Sequence, residues 1–453
     1  MTLENILLLS CRSPFLDDDK IYPPLANLYL HQKVLNERSN VRVTVTDDYD
    51  LENPDWLKGF DMVGISIMTP QRAEASRLLQ FIKQHSPNTT AAVAGGPHVK
   101  YYSDEMLEEP WDYIVVDDGE RAIIQIIDGT AERVIKDIIH PRDFPGIVVK
   151  PARLENADFL KSYNYKLNGR DSTTMLTARG CPEHCTFCED AHSFVKYTPF
   201  DLVIQELDDI QEMGYQGVYI FDDIFSLIIK RTEPIARELK RRDLIYRCNG
   251  QARLFTEKFA DLLAETGCYE VAFGAESGHQ TILDNIEKRT TVEQNYNFVR
   301  WCKERGIICK AFLMLGLPGE NEETIKATEQ FIATSGLDDF QLAIYYPYRG
   351  TQIRDEIEAG RPNFDLTFEG EGLGAYGQKG GYSEAVVRTR ALTRDDLLAH
   401  RDRILKTYRP ESHKTAWNPQ DDMFFDTHLA NSTDRQINET QGYIGLTIEG
   451  KDE

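Results

Sequence analysis

The stretch Arg179-Gly-Cys-Pro-Glu-His-Cys-Thr-Phe-Cys188 follows a run, Thr173-Thr-Met-Leu-Thr-Ala178, that is typical of a β-strand. It places Cys181, Cys185 and Cys188 within eight residues, in a C-x3-C-x2-C pattern. Loops that leave the strands carry the chemistry of barrel-like α/β domains. Three thiolates at this spacing can hold three irons of a cubane cluster and leave the fourth iron open. An open iron can bind and activate another molecule, so the stretch predicts a catalytic [4Fe–4S] site.

Two other interpretations of the cysteines are a structural zinc site and unrelated buried thiols. Structural zinc takes four ligands, often from two separated C-x2-C pairs. In this sequence the fourth ligand would have to be His184 or a distant cysteine. The spacing therefore favours the iron–sulfur cluster.

With Phe187 directly before the last cysteine, the pattern resembles the signature of the radical S-adenosylmethionine enzymes. The resemblance implies that the open iron chelates the amino and carboxylate groups of S-adenosylmethionine. It also implies that one electron from the cluster splits this molecule into methionine and a 5′-deoxyadenosyl radical, which abstracts hydrogen from the substrate. In such enzymes the cofactor carries the hard chemistry, and the protein supplies binding and orientation.

The composition is that of a globular protein of two or three domains, with 453 residues, 41% of them hydrophobic and 28% charged. A net charge of -23 argues against binding of nucleic acid through a general basic surface. We find no apolar run near the roughly 18 residues that a membrane span needs and no signal-peptide features at residues 1–6. The eight cysteines do not form a disulfide-like framework, and an exposed iron–sulfur site needs a reducing compartment. We therefore expect a cytoplasmic protein.

Residues 1–140 alternate strand-like and helical segments, which predicts a doubly wound parallel sheet of the Rossmann type. Ligands of such sheets bind beyond the carboxyl ends of the strands, here residues 66–69, 95–98 and 117–120. A helix is predicted from residue 25, and another over 72–85 with apolar residues at helical spacing. The predicted strands are Asn5–Leu9, Val41–Thr46, Met62–Ile67, the run from Ala91 into a glycine turn, and Tyr113–Asp117.

This domain resembles the cobalamin-binding domain that precedes the radical core in one subclass of the family. The resemblance rests on Gly64-Ile-Ser66, Gly95-Gly-Pro-His98 and the Asp112-Tyr113 strand that leads to Gly119-Glu120. Glycines at strand ends let backbone amides approach a bulky ligand. The alternative is a Rossmann-like domain that has lost its ligand. The residues implied in cobalamin binding are Ser66, Thr69, Gly95, Gly96, His98 and Glu120.

Two departures affect this resemblance. The D-x-H-x-x-G motif, which gives cobalt a lower axial histidine in other cobalamin enzymes, is absent, and Asp117-Asp118-Gly119-Glu120 replaces the G-E-G-E of relatives. We expect cobalamin to bind without a protein histidine on cobalt. His98 is expected to be a turn residue that points to solvent, with a place near the cofactor as the alternative.

Residues 141–170 contain prolines and little periodicity, which predicts a linker. Residues 171–358 show six strands with intervening helices, which predicts a partial (β/α)6 barrel whose strand ends line one mouth. Residues 359–453 are expected to form a small cap and a poorly anchored tail, with one helix over 392–408 that starts near Thr393. The predicted barrel strands begin at Thr173, Gly217, Ile245, Glu270, Ile307 and Phe340.

The strand ends of the barrel match the radical S-adenosylmethionine core in order. The resemblance implies that Asp222 and Asp223 contact the methionine amino group, and that Glu276 in Glu-Ser-Gly binds the ribose hydroxyls. A carboxylate can accept two such hydrogen bonds at once. It also implies that the turn from Gly316 to Gly319 lies against adenine, and Arg253 could pair with the methionine carboxylate. The implied S-adenosylmethionine residues are Phe187, Asp222, Asp223, Arg253, Glu276, Ser277, Gly316 and Gly319.

The motifs together predict a radical S-adenosylmethionine enzyme, most simply a cobalamin-dependent methyltransferase that acts on an unactivated carbon. A non-methylating reaction of the same type, such as a cyclisation, rearrangement or oxidation, is the alternative. A non-catalytic iron–sulfur sensor is a third hypothesis, against which the series of strand-end motifs speaks. The expected partners are a small-molecule or peptide substrate and an electron donor such as flavodoxin or ferredoxin.

Overall fold

The computed structural model describes residues 3–13, 19–86, 90–360, 366–370 and 384–409. The strands are β1 Asn5–Ser10, β2 Arg42–Thr46, β3 Met62–Ser66, β4 Ala91–Gly95, β5 Tyr113–Asp117, β6 Val134–Asp137, β7 Lys166–Leu167, β8 Arg170–Met175, β9 Ala178–Arg179, β10 Lys196–Tyr197, β11 Gly217–Ile220, β12 Ile245–Gly250, β13 Cys268–Glu276, β14 Ile308–Leu315, β15 Asp339–Ile344, β16 Thr367–Phe368 and β17 Val387–Arg388. The α-helices are α1 Leu25–Glu37, α2 Arg72–His85, α3 Pro97–Tyr101, α4 Ser103–Leu107, α5 Glu120–Ile127, α6 Ala157–Leu160, α7 Phe200–Glu212, α8 Ile229–Arg241, α9 Glu257–Glu265, α10 Gln280–Asn285, α11 Val292–Glu304, α12 Glu322–Thr334, α13 Gln352–Glu358 and α14 Arg394–Tyr408. Single 3₁₀ turns lie at Pro54–Leu57, Thr69–Gln71, Phe144–Gly146 and Leu154–Asn156.

The described residues form two compact units. The first contains a six-stranded sheet in the order β2-β1-β3-β4-β5-β6, and every neighbouring pair is parallel. The predicted Rossmann-like sheet is confirmed. Strands β1, β3, β4 and β5 are buried over most of their length, as expected where helices cover both sides of a doubly wound sheet. The chain leaves β1 toward one edge and β3 toward the other, which creates the switch point where such sheets bind ligands.

The sixth strand, β6, was not predicted from the sequence. Val134-Ile-Lys-Asp137 offers only two apolar residues, which is too short a pattern to separate a strand from a loop. It pairs in parallel with β5, and Asp137 lies opposite Asp117. Helix α2 spans the predicted range, residues 72–85, and buries Ala75, Leu78, Leu79 and Ile82. This confirms the predicted helical spacing of the apolar residues.

Residues 141–164, within the segment predicted as a linker, lie in the first unit together with α7. Ile139, Phe144 and Val148 form a small buried cluster against Leu202 of α7. Arg153, which is fully buried, donates to the Glu206 carboxylate of α7 at 2.6 Å. A buried ion pair leaves a costly unpaired charge when one partner is removed. This segment is therefore a packed element, although its sequence lacks strong periodicity.

The second unit contains a seven-stranded sheet in the order β15-β14-β13-β12-β11-β8-β7. The six strands from β15 to β8 are parallel, and only β7 is antiparallel to its neighbour. The predicted partial barrel of six parallel strands is confirmed. Helices pack on one face, where Phe273 of β13 stacks on Phe298 of α11 with ring centroids 4.1 Å apart.

The other face of this sheet holds two fully buried ion pairs, Arg247 with Glu270 at 3.0 Å and Lys310 with Asp339 at 3.1 Å. They join neighbouring strands below the carboxyl ends. The predicted helix near the C-terminus is also present. Helix α14 begins after Thr393, whose side chain accepts from the N–H of Asp396. Residues 371–383 and the tail from Pro410, which belong to the predicted cap and tail, lie outside the described residues.

Candidate active site

The three-cysteine loop lies at the carboxyl end of β8, in the second unit. Cys185 is buried, and Cys181 and Cys188 are partly exposed. The loop is fixed by its own hydrogen bonds: the Cys188 N–H donates to the Cys185 carbonyl at 3.1 Å, and the Cys181 N–H donates to the Ser193 hydroxyl at 2.8 Å. Gly180 precedes the first cysteine with φ of +96°, and a Cβ there would lie 2.4 Å from the Phe194 carbonyl oxygen. Only glycine fits at this position, where the chain enters the cysteine loop.

Burial makes the three thiols weaker acids than exposed cysteines. Burial raises the pKa of Cys181 to about 11 and that of Cys188 to about 12, and it also raises the pKa of Cys185. The polypeptide therefore disfavours the thiolates, whereas metal coordination deprotonates a thiol outright. Within the described ranges no three His, Cys, Asp or Glu side chains converge on a single metal-ion position. A cubane cluster binds each thiolate to a different iron, so three cysteines of one loop can hold it without sharing one metal-ion position.

Asp222 lies at the end of β11 and is 1% exposed. Its carboxylate accepts from the N–H groups of Thr177 at 2.6 Å and Ala178 at 2.9 Å, and also from the Thr177 hydroxyl. Arg231 of α8 donates to the Thr177 hydroxyl at 3.0 Å and to the Thr177 carbonyl. Both oxygens of Asp222 are thus used inside the protein. This differs from the expected contact with methionine and makes Asp222 a positioning residue for the cysteine loop.

Asp223, the next residue, is exposed. Its carboxylate accepts from the Gly180 N–H at 3.0 Å. The surrounding protein desolvates it and Asp190 repels its charge, which together raise the pKa of Asp223 to about 6. Of the two acids, only Asp223 keeps a carboxylate oxygen accessible beside the first cysteine.

Glu276 ends β13 with φ of +58°, at an irregularity in the register between β13 and β14. Lys288 donates to its carboxylate at 2.6 Å, and both side chains are at most 10% exposed. Burial alone would lower the pKa of Lys288, but the charges of Glu276 and Cys185 raise it above normal. A Cβ on Gly274 would lie 2.0 Å from Glu276 Oε1, so the glycine leaves the space that this ion pair fills.

Phe187 and Arg253 also contact the site elements. The Lys288 ammonium lies 5.9 Å from the centre of the Phe187 ring, which brings the cysteine loop next to the Glu276–Lys288 pair. Arg253, 38% exposed, donates to the buried carboxylate of Glu183 at 2.5 Å. Arginine carries five N–H donors, so this pairing leaves some of them for a second partner.

Ser277 and the two turn glycines are used differently from the sequence prediction. Ser277 is fully buried, and its hydroxyl lies 3.1 Å from the Thr328 hydroxyl and accepts from the His279 N–H. Gly316 and Gly319 have φ of +89° and +86°. A Cβ on Gly319 would lie 2.5 Å from the Asn285 amide nitrogen, and one on Gly316 would lie 3.0 Å from Val387. A side chain at either glycine would thus crowd neighbouring protein atoms, while the implied contact of this turn with adenine stays a prediction.

In the first unit, the predicted cobalamin residues lie at one edge of the sheet. Ser66 and Gly95 are opposite each other at the carboxyl ends of β3 and β4. A Cβ on Gly95 would meet only Val115, at 3.9 Å, whereas Gly96 has φ of +101° and a Cβ there would lie 2.7 Å from the Ile67 nitrogen. Glu120 is buried as the first residue of α5. This edge therefore offers exposed backbone beside a turn that requires glycine.

The expectation that His98 points to solvent is wrong. His98 is 2% exposed, because it lies in the first turn of the short helix α3, which folds back onto the sheet. Its Nδ1 lies 3.4 Å from the Thr69 hydroxyl, and its ring stacks on Tyr102 with centroids 4.6 Å apart. The imidazole is thus packed into the protein, which fits an edge that offers cobalt no histidine.

Sequence reasoning missed Lys288, Arg231 and Glu183. Each is a charged side chain whose partner lies 12 to 70 positions away in the chain. Lys288 is part of no recognised sequence motif, and only its burial beside Glu276 in the structure identifies it. A usable signal existed for Arg231 alone, since a basic residue nine positions after Asp222 can fold back on it.

Comparison with known proteins agrees with this division of the chain. Residues 175–332 match the family model of the Radical SAM superfamily, and residues 34–127 match that of the B12 binding domain. The first match contains the three cysteines, Asp222 and Glu276. The second contains the sheet edge from Ser66 to Glu120.

Full-length relatives and a solved structure are similar over most of the chain. An uncharacterised methyltransferase of Pyrococcus horikoshii is 29% identical over 357 residues, which are 73% of this chain and 77% of that protein. The anaerobic magnesium-protoporphyrin IX monomethyl ester cyclase of Rubrivivax gelatinosus is 26% identical to this chain. The match covers 77% of this chain and 65% of the length of the cyclase. The radical S-adenosylmethionine methyltransferase TsrM of Kitasatospora setae, whose structure was solved with cobalamin and a [4Fe–4S] cluster, has the same fold, with a TM-score of 0.65. The two sequences are 20% identical, and the match covers 83% of this chain and 79% of that chain. No helix in the described part of the chain is long and apolar enough to cross a membrane.

Proposed function

Since the chain belongs to the radical S-adenosylmethionine superfamily and carries a B12-binding domain before the radical domain, we propose that it is a cobalamin-dependent methyltransferase that acts on an unactivated carbon. The observation that supports the proposal is the occurrence of both family matches on one chain. In the described residues, a loop with three thiols lies in the second unit, and a strand edge with Gly95 and Gly96, beside the buried His98, lies in the first.

The cofactors would supply hydrogen abstraction through a radical derived from S-adenosylmethionine and a methyl group carried by cobalamin. In this proposal Cys181, Cys185 and Cys188 hold the cluster. Glu276 accepts from the ribose hydroxyls, and Lys288 fixes the orientation of its carboxylate. The Lys288 ammonium donates a hydrogen bond to the Glu276 carboxylate at 2.6 Å. Its positive charge also offsets negative charge on the cysteine loop.

Three further residues complete the proposed S-adenosylmethionine site. Asp223 keeps an accessible carboxylate oxygen for the methionine amino group. Arg253, held by Glu183 at 2.5 Å, has donors left for the methionine carboxylate. Phe187 packs beside Lys288 and closes one side of the loop. Asp222 and Ser277 are excluded from direct contact, because their polar atoms are already hydrogen-bonded inside the protein.

The competing function is a radical reaction without methyl transfer. It is motivated by the cyclase of Rubrivivax gelatinosus, which is similar over a comparable share of the chain. The methyltransferase of Pyrococcus horikoshii favours the first proposal. In either case the substrate is a small molecule or a peptide, the electron comes from a donor such as flavodoxin or ferredoxin, and a reducing cytoplasm suits the exposed thiols.

The two functions leave different products of S-adenosylmethionine. Methyl transfer releases S-adenosylhomocysteine, whereas radical cleavage alone releases methionine and 5′-deoxyadenosine. We expect anaerobically reconstituted protein, incubated with reductant and an extract of small metabolites, to form both nucleoside products, and S-adenosylhomocysteine only when cobalamin is present. The control is the variant with Cys181, Cys185 and Cys188 all changed to Ala, which should form neither. Formation of 5′-deoxyadenosine alone, with cobalamin bound, would support the non-methylating alternative.

A further inference from the structure

The C-terminal residues 384–409 lie beyond the segment, 175–332, that matches the radical domain family. Even so, they pack against the glycine turn that follows β14. Val387 Cγ2 and Leu397 Cδ1 lie 3.0 Å and 3.2 Å from the position of a Cβ on Gly316. Both side chains are fully buried. Val387 and Leu397, which lie outside the segment that matches the radical domain, therefore cover one side of the turn.

A hydrogen bond connects the same two segments. The Thr389 hydroxyl, 3% exposed, donates to the Glu320 carbonyl at 2.9 Å. Glu320 closes the turn from within, since its buried carboxylate accepts from the Gly316 N–H. The Thr389 hydroxyl also accepts from the Leu392 N–H at 3.0 Å. Thr389 thus links the end of the turn to the start of the C-terminal helix.

The C-terminal helix is itself anchored on the barrel. Arg401 of α14 is 1% exposed and donates to the carbonyl of Leu342 in β15 at 3.3 Å. Farther along, Arg403 makes a two-pronged ion pair with Glu329 of α12, at 2.7 and 2.8 Å. The segment therefore has a fixed place from which Val387, Thr389 and Leu397 can hold the turn.

We propose that Val387, Thr389 and Leu397 are positioning residues for the S-adenosylmethionine site, acting through the turn from Gly316 to Glu320. The inference rests on the proposed function and on the role that the resemblance implies for this turn, namely that it lies against adenine. A turn with two glycines in the left-handed region has many accessible conformations when it is free. Contacts that restrict it reduce the ordering cost of ligand binding.

The test is the dissociation constant of S-adenosylmethionine, measured by equilibrium dialysis on cluster-loaded protein, with iron content and thermal midpoint recorded for each variant. Thr389→Val keeps the shape and removes the hydroxyl, and we expect about five- to tenfold weaker binding at unchanged iron content. Leu397→Ala opens space beside Gly316 and should weaken binding to a similar extent. Thr389→Ser keeps the hydroxyl and should bind as the wild type does.

The matched control is Lys406→Ala, an exposed residue of the same helix, which should leave the thermal midpoint and binding unchanged. If Thr389→Val and Leu397→Ala bind within twofold of the wild type, the inference is overturned while the proposed function stands. Equal weakening in Lys406→Ala would also overturn it, because the effect would then not depend on contact with the turn. If the wild type with its cluster does not bind S-adenosylmethionine, the proposed function falls, and the inference with it.

Discussion

At the scale of single residues, the Glu276–Lys288 pair decides what the second unit can bind. Lys288 is the one side chain of the described residues that hydrogen-bonds the Glu276 carboxylate, and it does so through Oε1. The other oxygen is left for a ligand. A charge-assisted contact to a carboxylate contributes about 1.5–3 kcal/mol.

We therefore expect Glu276→Ala to weaken S-adenosylmethionine binding by roughly ten- to a hundredfold without loss of the cluster. Isothermal titration calorimetry on cluster-loaded protein measures this effect. The matched comparison is Glu276→Gln, which keeps one acceptor oxygen and should lie between Ala and the wild type. An unchanged dissociation constant in Glu276→Ala would reduce the residue to a structural partner of Lys288.

Glu320 gives a second prediction at the residue scale, through pH. Burial raises the pKa of this carboxyl to about 8, although the N–H groups of Gly316 and Leu317 favour the ionised form. The folded protein therefore holds a proton that the unfolded chain releases near pH 4.5. Because the folded pKa is the higher one, the stabilisation is complete below pH 4.5 and is lost as pH rises to 8, by up to about 1.4 kcal/mol per pH unit.

Glu320→Gln is neutral at every pH, so its stability should fall less steeply than that of the wild type between pH 5 and 8. Urea unfolding at a series of pH values gives the difference between the two curves. Because only the difference is used, the other titrating groups cancel to a first approximation. Parallel curves for the two proteins would show that Glu320 does not hold the extra proton.

At the scale of elements, the end of β11 and the start of α8 fix the cysteine loop. Asp222 gathers two N–H groups and one hydroxyl from Thr177 and Ala178, and Arg231 binds the other side of Thr177. These contacts lie just ahead of Cys181. A carboxylate can only accept, whereas an amide in the same place presents one N–H donor group toward other donors.

We expect Asp222→Asn to reduce the iron bound after anaerobic reconstitution to less than half of the wild-type amount, and to lower the thermal midpoint. Iron and sulfide assays provide the measurement. Arg237→Ala is the matched control on α8, because within the described ranges Arg237 pairs with Glu233 and Glu265 on the exposed face and with no site residue. Full iron loading in Asp222→Asn would show that the loop needs no such support.

The same elements show how far sequence reasoning reaches. Five of the six strands in the first sheet and six of the seven in the second were predicted within a few residues, because buried parallel strands are short, apolar and bounded by turn residues. The packing of segment 141–164 could not be predicted, because it depends on contacts with distant residues, such as Arg153 with Glu206, and not on apolar periodicity. β6 was missed because it has only two apolar side chains.

At the scale of the whole molecule, the sequence located the site better than it assigned the roles within it. Order along the chain brought the cysteine loop, Asp222, Glu276 and the glycine turn to the carboxyl ends of one set of parallel strands, as the barrel topology requires. The local sequence does not show which of the two adjacent acids, Asp222 or Asp223, is buried. Asp222 is buried and Asp223 exposed because the loop before Cys181 folds over the first of them.

The final prediction concerns the two units as one enzyme. We expect the protein to bind about one cobalamin per chain, with no nitrogen of the protein on cobalt. His98 is packed between Thr69 and Tyr102 and is 2% exposed, so releasing it to reach a metal would break these contacts. A cobalt without a strong lower ligand is easier to reduce to the state that accepts a methyl group.

The measurement is electron paramagnetic resonance of the reconstituted protein in the cobalt(II) state, which should show no nitrogen hyperfine splitting from a protein ligand. His98→Ala should give the same spectrum and the same cobalamin content as the wild type, although the lost packing should lower its thermal midpoint. Nitrogen splitting that disappears in His98→Ala would contradict the ligand-free site. Absence of cobalamin binding in the wild type would instead remove the methyl carrier and leave the radical reaction without methyl transfer as the function.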